Sequence, residues 1–91
     1  MANQDMYEGN FKEGRMCGAG RYQSRDGGVY EGAFLGDKKH GFGVSWSADG
    51  TVYDGEWRKG EKHGRGKMWY ADGRVALCEW INGVEKSSKE V

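Results

Sequence analysis

The stretch Tyr30-Glu31-Gly32-Ala33-Phe34 decides the fold, because the chain repeats it on both sides. Tyr7-Glu8-Gly9-Asn10-Phe11 precedes it and Tyr53-Asp54-Gly55-Glu56-Trp57 follows it, so the three tyrosines lie 23 residues apart (30 − 7 and 53 − 30). A fixed period of this length indicates a repeat array. The same step relates further positions: Gly18, Gly41 and Gly64; Gly20, Gly43 and Gly66; Asp26, Asp49 and Asp72; Val29, Val52 and Val75.

The repeats define one small array. Three full copies occupy 7–29, 30–52 and 53–75, and a partial copy follows at 76–84, in which Ala76 and Cys78 replace the tyrosine and the glycine. Segments 1–6 and 85–91 are polar and lack the pattern, so we expect both to be flexible. A short strap over the last strand is the alternative for 86–91. A chain of 91 residues has room for one small domain.

Alternation within each copy predicts β-structure. Large side chains and glycines alternate in Tyr30-x-Gly32-x-Phe34, which is the period of a strand, and no segment shows helical periodicity. Each copy therefore predicts one β-hairpin, and the hairpins follow one another as an antiparallel meander. The fold class is all-β.

The odd repeat length fixes the register. Side chains alternate between the two faces along a strand, and equivalent residues of successive repeats must lie on the same face. Because the repeat length of 23 is odd, the two loops of a repeat cannot both have an even length, so one of them must be odd. Ala48-Asp49-Gly50 suits a three-residue loop with Gly50 at positive φ, and 35–40 then forms the even loop, which pairs Phe34 with Gly41. One face then holds aromatic rings beside glycines: Tyr30, Gly32, Phe34, Gly41, Gly43, Ser45, Tyr53, Gly55, Trp57, Gly64 and Gly66.

The opposite face carries charged side chains and one apolar margin. Glu8, Arg21 and Glu31 fall on adjacent strands, and such exposed pairs contribute little more than register and solubility. Along one margin the same register aligns five apolar residues: Val29, Trp46, Val52, Trp69 and Val75.

With the repeats aligned, the chain resembles the MORN (membrane occupation and recognition nexus) repeat proteins. The pattern that carries the resemblance is Tyr-Glu-Gly-x-Phe/Trp, then His-Gly-x-Gly, then Asp-Gly-x-Val, read over 30–52 and 53–75. The resemblance implies a single-layer, elongated, curved antiparallel sheet of hairpins. Cys17 departs from the pattern, because the later copies have His40 and His63 in its place.

The sequence shows no catalytic, cofactor or metal site. Gly18-x-Gly20 lacks the following helix that a phosphate loop needs. His40 and His63 fall two strands, roughly 10 Å, apart, too far to share an ion, and are best interpreted as packing at hairpin corners. Cys17 and Cys78 lie about five strands apart, which excludes a disulfide between them.

Two surfaces are candidate partner-binding sites. The first is the tryptophan margin, formed by Trp46, Trp69, Val29 and Val52. Its tryptophans either cover the valines or lie beneath the C-terminal tail and stabilise the sheet, or they form an exposed aromatic patch that contacts another protein. The alternative is the ring face, which is either the packing core or an aromatic groove for a strand or helix of the partner; its residues are Tyr30, Phe34, Tyr53 and Trp57.

We therefore expect a non-enzymatic interaction module that docks onto a protein in a cytoskeletal or membrane-proximal assembly. Acidic and basic residues balance at 14 each, which disfavours nucleic acid. An anionic phospholipid is the alternative ligand that the resemblance implies, but interleaved charges disfavour it. The resemblance also allows a role beside an enzyme domain that this chain lacks. The localisation that these expectations suggest is cytoplasmic. Edge strands at 7–11 and 77–80 predict self-association.

Overall fold

The computed structural model describes residues 5–91, and these residues form one eight-stranded sheet. The strands follow chain order, each antiparallel to its neighbours, and the described chain measures 40 × 26 × 18 Å. The predicted all-β, single-layer, elongated meander is confirmed. The strands are β1 (Met6–Lys12), β2 (Arg15–Gln23), β3 (Val29–Leu35), β4 (Lys38–Trp46), β5 (Val52–Arg58), β6 (Glu61–Trp69), β7 (Val75–Ile81) and β8 (Val84–Glu90).

The Asp-Gly loops have the predicted geometry. Ser47 N–H donates to Thr51 O at 2.8 Å, which leaves three residues in the loop, and Gly50 N–H donates to Ser47 O at 3.0 Å. The glycines at 27, 50 and 73 have φ of 99°, 95° and 98°. Asp49 Oδ1 accepts the Thr51 N–H at 2.9 Å, so the aspartate is a turn residue, as predicted.

The other turns are shorter than predicted. Leu35 pairs with Lys38, so the turn consists of Gly36 and Asp37, with φ of 56° and 72°. Two positive φ angles are typical of a type I′ turn, whose backbone twist matches the twist of the two strands that it joins. Phe34 pairs with Lys39, so the expected pairing of Phe34 with Gly41 across a loop at 35–40 is wrong. A β-bulge at Gly41 (φ 104°) shifts the pairing by two residues, and beyond it the predicted register returns.

The C-terminal segment is a strand. β8 pairs with β7, for example Leu77 with Lys89, so the expectation of a flexible tail at 85–91 and of a sheet edge at 77–80 is wrong. β8 is exposed along its whole length, and backbone pairing with β7 stabilises it without apolar burial. The edges of the described sheet are β1 and β8.

Beyond its bulge, the register of the last hairpin differs from that of the others by one residue. Asp54 pairs with Lys67, so the 23-residue step predicts Leu77 opposite Glu90, whereas Leu77 lies opposite Lys89. The expected flexibility of 1–6 concerns mainly residues 1–4, which lie outside the described residues. Met6 begins β1.

A file of aromatic rings forms the core on one face, and we call it the ring file. Neighbouring rings meet edge to face, with centroids 5.0–6.1 Å apart, the arrangement that aromatic quadrupoles favour. Tyr30 and Tyr53 are each only 2% exposed. In order across the sheet the rings are Phe11, Tyr7, Phe34, Tyr30, Trp57, Tyr53 and Trp80.

Each tyrosine ring of the file lies on a glycine of the next strand. A Cβ atom at Gly43 would meet Tyr30 Oη at 2.3 Å, and one at Gly66 would meet Tyr53 Oη at 2.2 Å. Tyr30 Oη donates to Ala33 O at 2.8 Å, which fixes the ring. The predicted contact of rings with glycines is confirmed.

In the described part of the chain, the last ring of the file, Trp80, lacks the indole hydrogen bond that its counterpart one repeat earlier, Trp57, forms. Trp57 Nε1 donates to Gly43 O at 3.2 Å. Trp80 Nε1 is buried but has no acceptor among the described residues. Ala76 stands where a tyrosine would continue the file, so the file ends at Trp80.

Ser45 leaves a gap beside the file. The equivalent residues of the other repeats are Tyr22 and the buried Met68, and a hollow of about 200 Å³ lies at Ser45. Ser45→Met should fill it and raise the free energy of unfolding by about 1 kcal/mol, measured by urea denaturation. Ser88→Met, on the exposed edge strand, is the control; an equal effect of both substitutions would contradict the explanation.

Candidate partner-binding face

The face opposite the ring file, called the outer face, brings the predicted tryptophan margin together. Val29 pairs with Trp46, Trp46 with Val52, and Val52 with Trp69, so the four residues form one continuous row across four strands. Trp46 is 39% exposed. Trp69 is half-buried, and Lys67 Nζ lies 5.3 Å from its ring centroid. The more accessible end of the row is therefore at Trp46.

Strand β4 adds apolar residues that the sequence analysis missed. Phe42, Val44 and Trp46 alternate along β4 and point to the outer face, and Phe42 is 72% exposed. We call these three residues the β4 stripe. The only sequence signal is a difference between repeats, because the equivalent residues are mostly polar or small: Ala19, Arg21 and Gln23 in the first copy, and Arg65, Lys67 and Trp69 in the third.

The β4 stripe lies between two hollows. The smaller, about 370 Å³, is lined by Arg21, Val29, Glu31 and Trp46. The larger, about 620 Å³, extends from Phe42 across β5 and β6 to β8, and Leu77, which is 48% exposed, also lines it. The stripe is thus accessible from both sides and can contact a large group.

Carboxylates flank the β4 stripe on both neighbouring strands. Val44 lies opposite Glu31 on β3 and Asp54 on β5, and Phe42 lies opposite Glu56. Glu31 is 3.7 Å from Arg21, with both side chains about half exposed. Asp54 forms no ion pair with any of residues 5–91, although Lys67 lies opposite it.

The alternative surface is the core. Tyr30, Phe34, Tyr53 and Trp57 are buried. Lys39 Nζ lies 4.8 Å from the Trp57 ring centroid, and burial, helped by the nearby Lys62 charge, lowers the pKa of Lys39. Lysine side chains thus cover part of these packed rings, and two hollows, of about 200 and 270 Å³, lie beside Tyr30 and Phe34.

The histidines have structural roles at the hairpin corners. His40 Nδ1 accepts the Lys59 N–H at 3.4 Å, and His63 Nδ1 accepts the Asn82 N–H at 3.2 Å, so each imidazole holds the turn of the following repeat. No three potential ligands cluster as a metal site within residues 5–91. Cys17 on β2 and Cys78 on β7 are both free, and burial raises the pKa of the Cys78 thiol.

The sheet and its ring file define a class of protein: a β-repeat array, built from hairpins of one pattern, with a packed face and an accessible face. The MORN repeat family model matches residues 7–29, 30–52 and 53–73, so the chain belongs to the MORN repeat family. Repeats of this family are modules for interaction with membranes or proteins. No curated protein matches the chain. No helix long and apolar enough to cross a bilayer is present in residues 5–91.

Proposed function

We propose that this chain is a non-enzymatic docking module that binds another protein through the β4 stripe. The observation that carries the proposal is that Phe42, Val44 and Trp46 lie side by side in the middle of the sheet, with Phe42 and Trp46 exposed and Val44 half-buried between them. Clustered exposed aromatic and aliphatic side chains are typical of protein contact sites. The margin residues Val29, Val52 and Trp69 extend the surface at one end.

The carboxylates beside the β4 stripe favour a protein over an anionic membrane. The side chains opposite Val44 and Phe42 are the carboxylates of Glu31, Asp54 and Glu56, which would repel phosphate head groups. Lys39 lies over the ring file and does not belong to this surface. We propose that the partner is a protein of a cytoskeletal or membrane-proximal assembly, as membership of the MORN repeat family suggests.

Substitutions in the β4 stripe should weaken the binding of the partner without unfolding the chain. Trp46→Ala and Phe42→Ala should each reduce affinity for the partner at least tenfold, because a central aromatic contact typically contributes 2 kcal/mol or more. Proteins captured from native extract by the wild-type chain are quantified against each variant, and the dissociation constant is then measured with the purified partner. Thermal melting of each variant should change little, since both side chains are exposed.

The control for this experiment is Leu35→Ala, which removes an apolar side chain near a turn whose exposure, 61%, lies between those of Trp46 (39%) and Phe42 (72%). Capture that survives both stripe substitutions would contradict the proposal. Binding to phosphatidylserine vesicles that survives the same substitutions, with no protein partner found, would favour the lipid alternative.

A further inference from the structure

We infer that the partner presents a basic amphipathic helix, whose apolar residues pack on the β4 stripe and whose flanking lysines or arginines reach the carboxylates beside it. The inference rests on the proposed function and adds the chemistry of the partner. It comes from the arrangement of charge around the stripe, which differs from the balanced charge of the whole chain.

The positions that pair with the stripe contain carboxylates and no bases. Trp46 lies between two valines, Val44 between Glu31 and Asp54, and Phe42 opposite Glu56. Strands are about 4.8 Å apart, so the acidic positions on β3 and β5 lie roughly 10 Å apart across the stripe. A ligand seated on the stripe therefore meets carboxylates along both sides, with Arg21 and Lys67 one strand further out.

Neighbouring bases neutralise these carboxylates only in part. Arg65 lies 3.5 Å from Glu79 and Lys67 lies over Trp69, so the two basic side chains on the outer face of β6 contact other groups. Glu31 contacts Arg21 at 3.7 Å but remains half exposed. Asp54 has no ion pair among residues 5–91. A basic partner would complete these pairs, whereas an acidic one would be repelled.

The dimensions suit a helix. The stripe spans five residues of one strand, about 13 Å, a length that about two and a half helical turns cover. The three strands β3, β4 and β5 together span roughly 10 Å, which matches the diameter of a helix. An extended strand would cover the stripe but would leave the carboxylates on both sides without contacts.

The test uses two dye-labelled synthetic helices of about 18 residues, one of leucine and lysine and one of leucine and glutamate in the same pattern. Fluorescence anisotropy with the full chain should show the lysine peptide binding at least tenfold more tightly than the glutamate peptide. The double variant Glu31→Gln with Asp54→Asn should bind the lysine peptide about fivefold to tenfold more weakly than the wild-type chain does. The matched control, Glu8→Gln with Glu90→Gln, makes the same change of net charge away from the stripe and should leave the affinity unchanged.

Equal affinities for the two peptides, or equal losses in the two double variants, would overturn the inference. Measuring the affinity of the natural partner for the two kinds of variant distinguishes a failure of the inference from a failure of the proposed function. If Trp46→Ala releases that partner and the Glu31→Gln, Asp54→Asn variant does not, the docking site stands and the basic partner is wrong. If neither substitution changes its affinity, both are wrong.

Discussion

Replacing Gly66 by alanine should lower the free energy of unfolding by about 3 kcal/mol or more. The added Cβ would lie 2.2 Å from the Cζ and Oη atoms of Tyr53. That ring is 2% exposed and meets Trp57 edge to face at 5.3 Å, so it cannot move away without disturbing the ring file. Urea denaturation followed by tryptophan fluorescence measures the loss.

Two further variants test whether the ring causes the loss. Gly60→Ala places a methyl group where no atom lies within 4 Å, at φ 86°, so only backbone strain of about 1 kcal/mol is expected. Combining Gly66→Ala with Tyr53→Ala removes the clash, so the double variant should be at least about 2 kcal/mol more stable than the sum of the single losses predicts. Equal losses for Gly66→Ala and Gly60→Ala would show that the ring contact is not the cause.

Alkaline unfolding should begin above pH 10 and be complete by about pH 12. Burial raises the pKa of Tyr30 and Tyr53 to about 12, because the core disfavours the phenolate. The unfolded chain releases these protons near pH 10. The contribution to stability is therefore fully present below pH 10 and is lost as the pH rises to about 12. The loss is on the order of 2–3 kcal/mol for each tyrosine.

Titration followed by tyrosinate absorbance and far-ultraviolet circular dichroism checks this expectation, since both signals should change in one transition. The control variant, Tyr30→Phe with Tyr53→Phe, keeps both rings but removes the titrating hydroxyls, which donate to Ala33 O and Glu56 O in the wild-type chain. Its stability should depend much less on pH between 10 and 12. An unchanged pH dependence would assign the transition to other groups.

The sequence predicts most of the register, and the part it does not predict has a physical cause. The odd step of 23 requires one odd loop, and the Ser47–Thr51 pair confirms it. The bulge at Gly41 shifts the pairing by two residues, an even number, so the residues beyond it keep their expected faces. An argument from parity cannot detect an even shift, so it gave the correct faces and the wrong turn.

Strand β8 was not predicted because its residues lack strand propensity. Lys86-Ser87-Ser88-Lys89-Glu90 has neither alternation nor a β-branched side chain, and its stability as a strand comes from pairing with β7. The local signal that would have revealed the hairpin is Asn82-Gly83, the favoured pair for a two-residue turn.

The candidate site was predicted only in part. The register placed Val29, Trp46, Val52 and Trp69 in one row, but Phe42 and Val44 were not included, because alignment of the copies emphasises what they share. The stripe exists because the second copy differs from the first and the third. In a repeat protein, the shared residues specify the fold, and the residues that differ carry the candidate site.

The ring file also determines where this protein opens first. Each link joins rings of one repeat or of adjacent repeats, so unfolding spreads stepwise along the array, as in other one-dimensional assemblies. The Tyr53–Trp80 link is the longest, at 6.1 Å, and Trp80 Nε1 lacks an acceptor among the described residues. Fraying should therefore start at β7 and β8, while β4, at the centre of the sheet, exchanges its amide hydrogens most slowly. A partner held on β4 would remain attached while the C-terminal strands open and close.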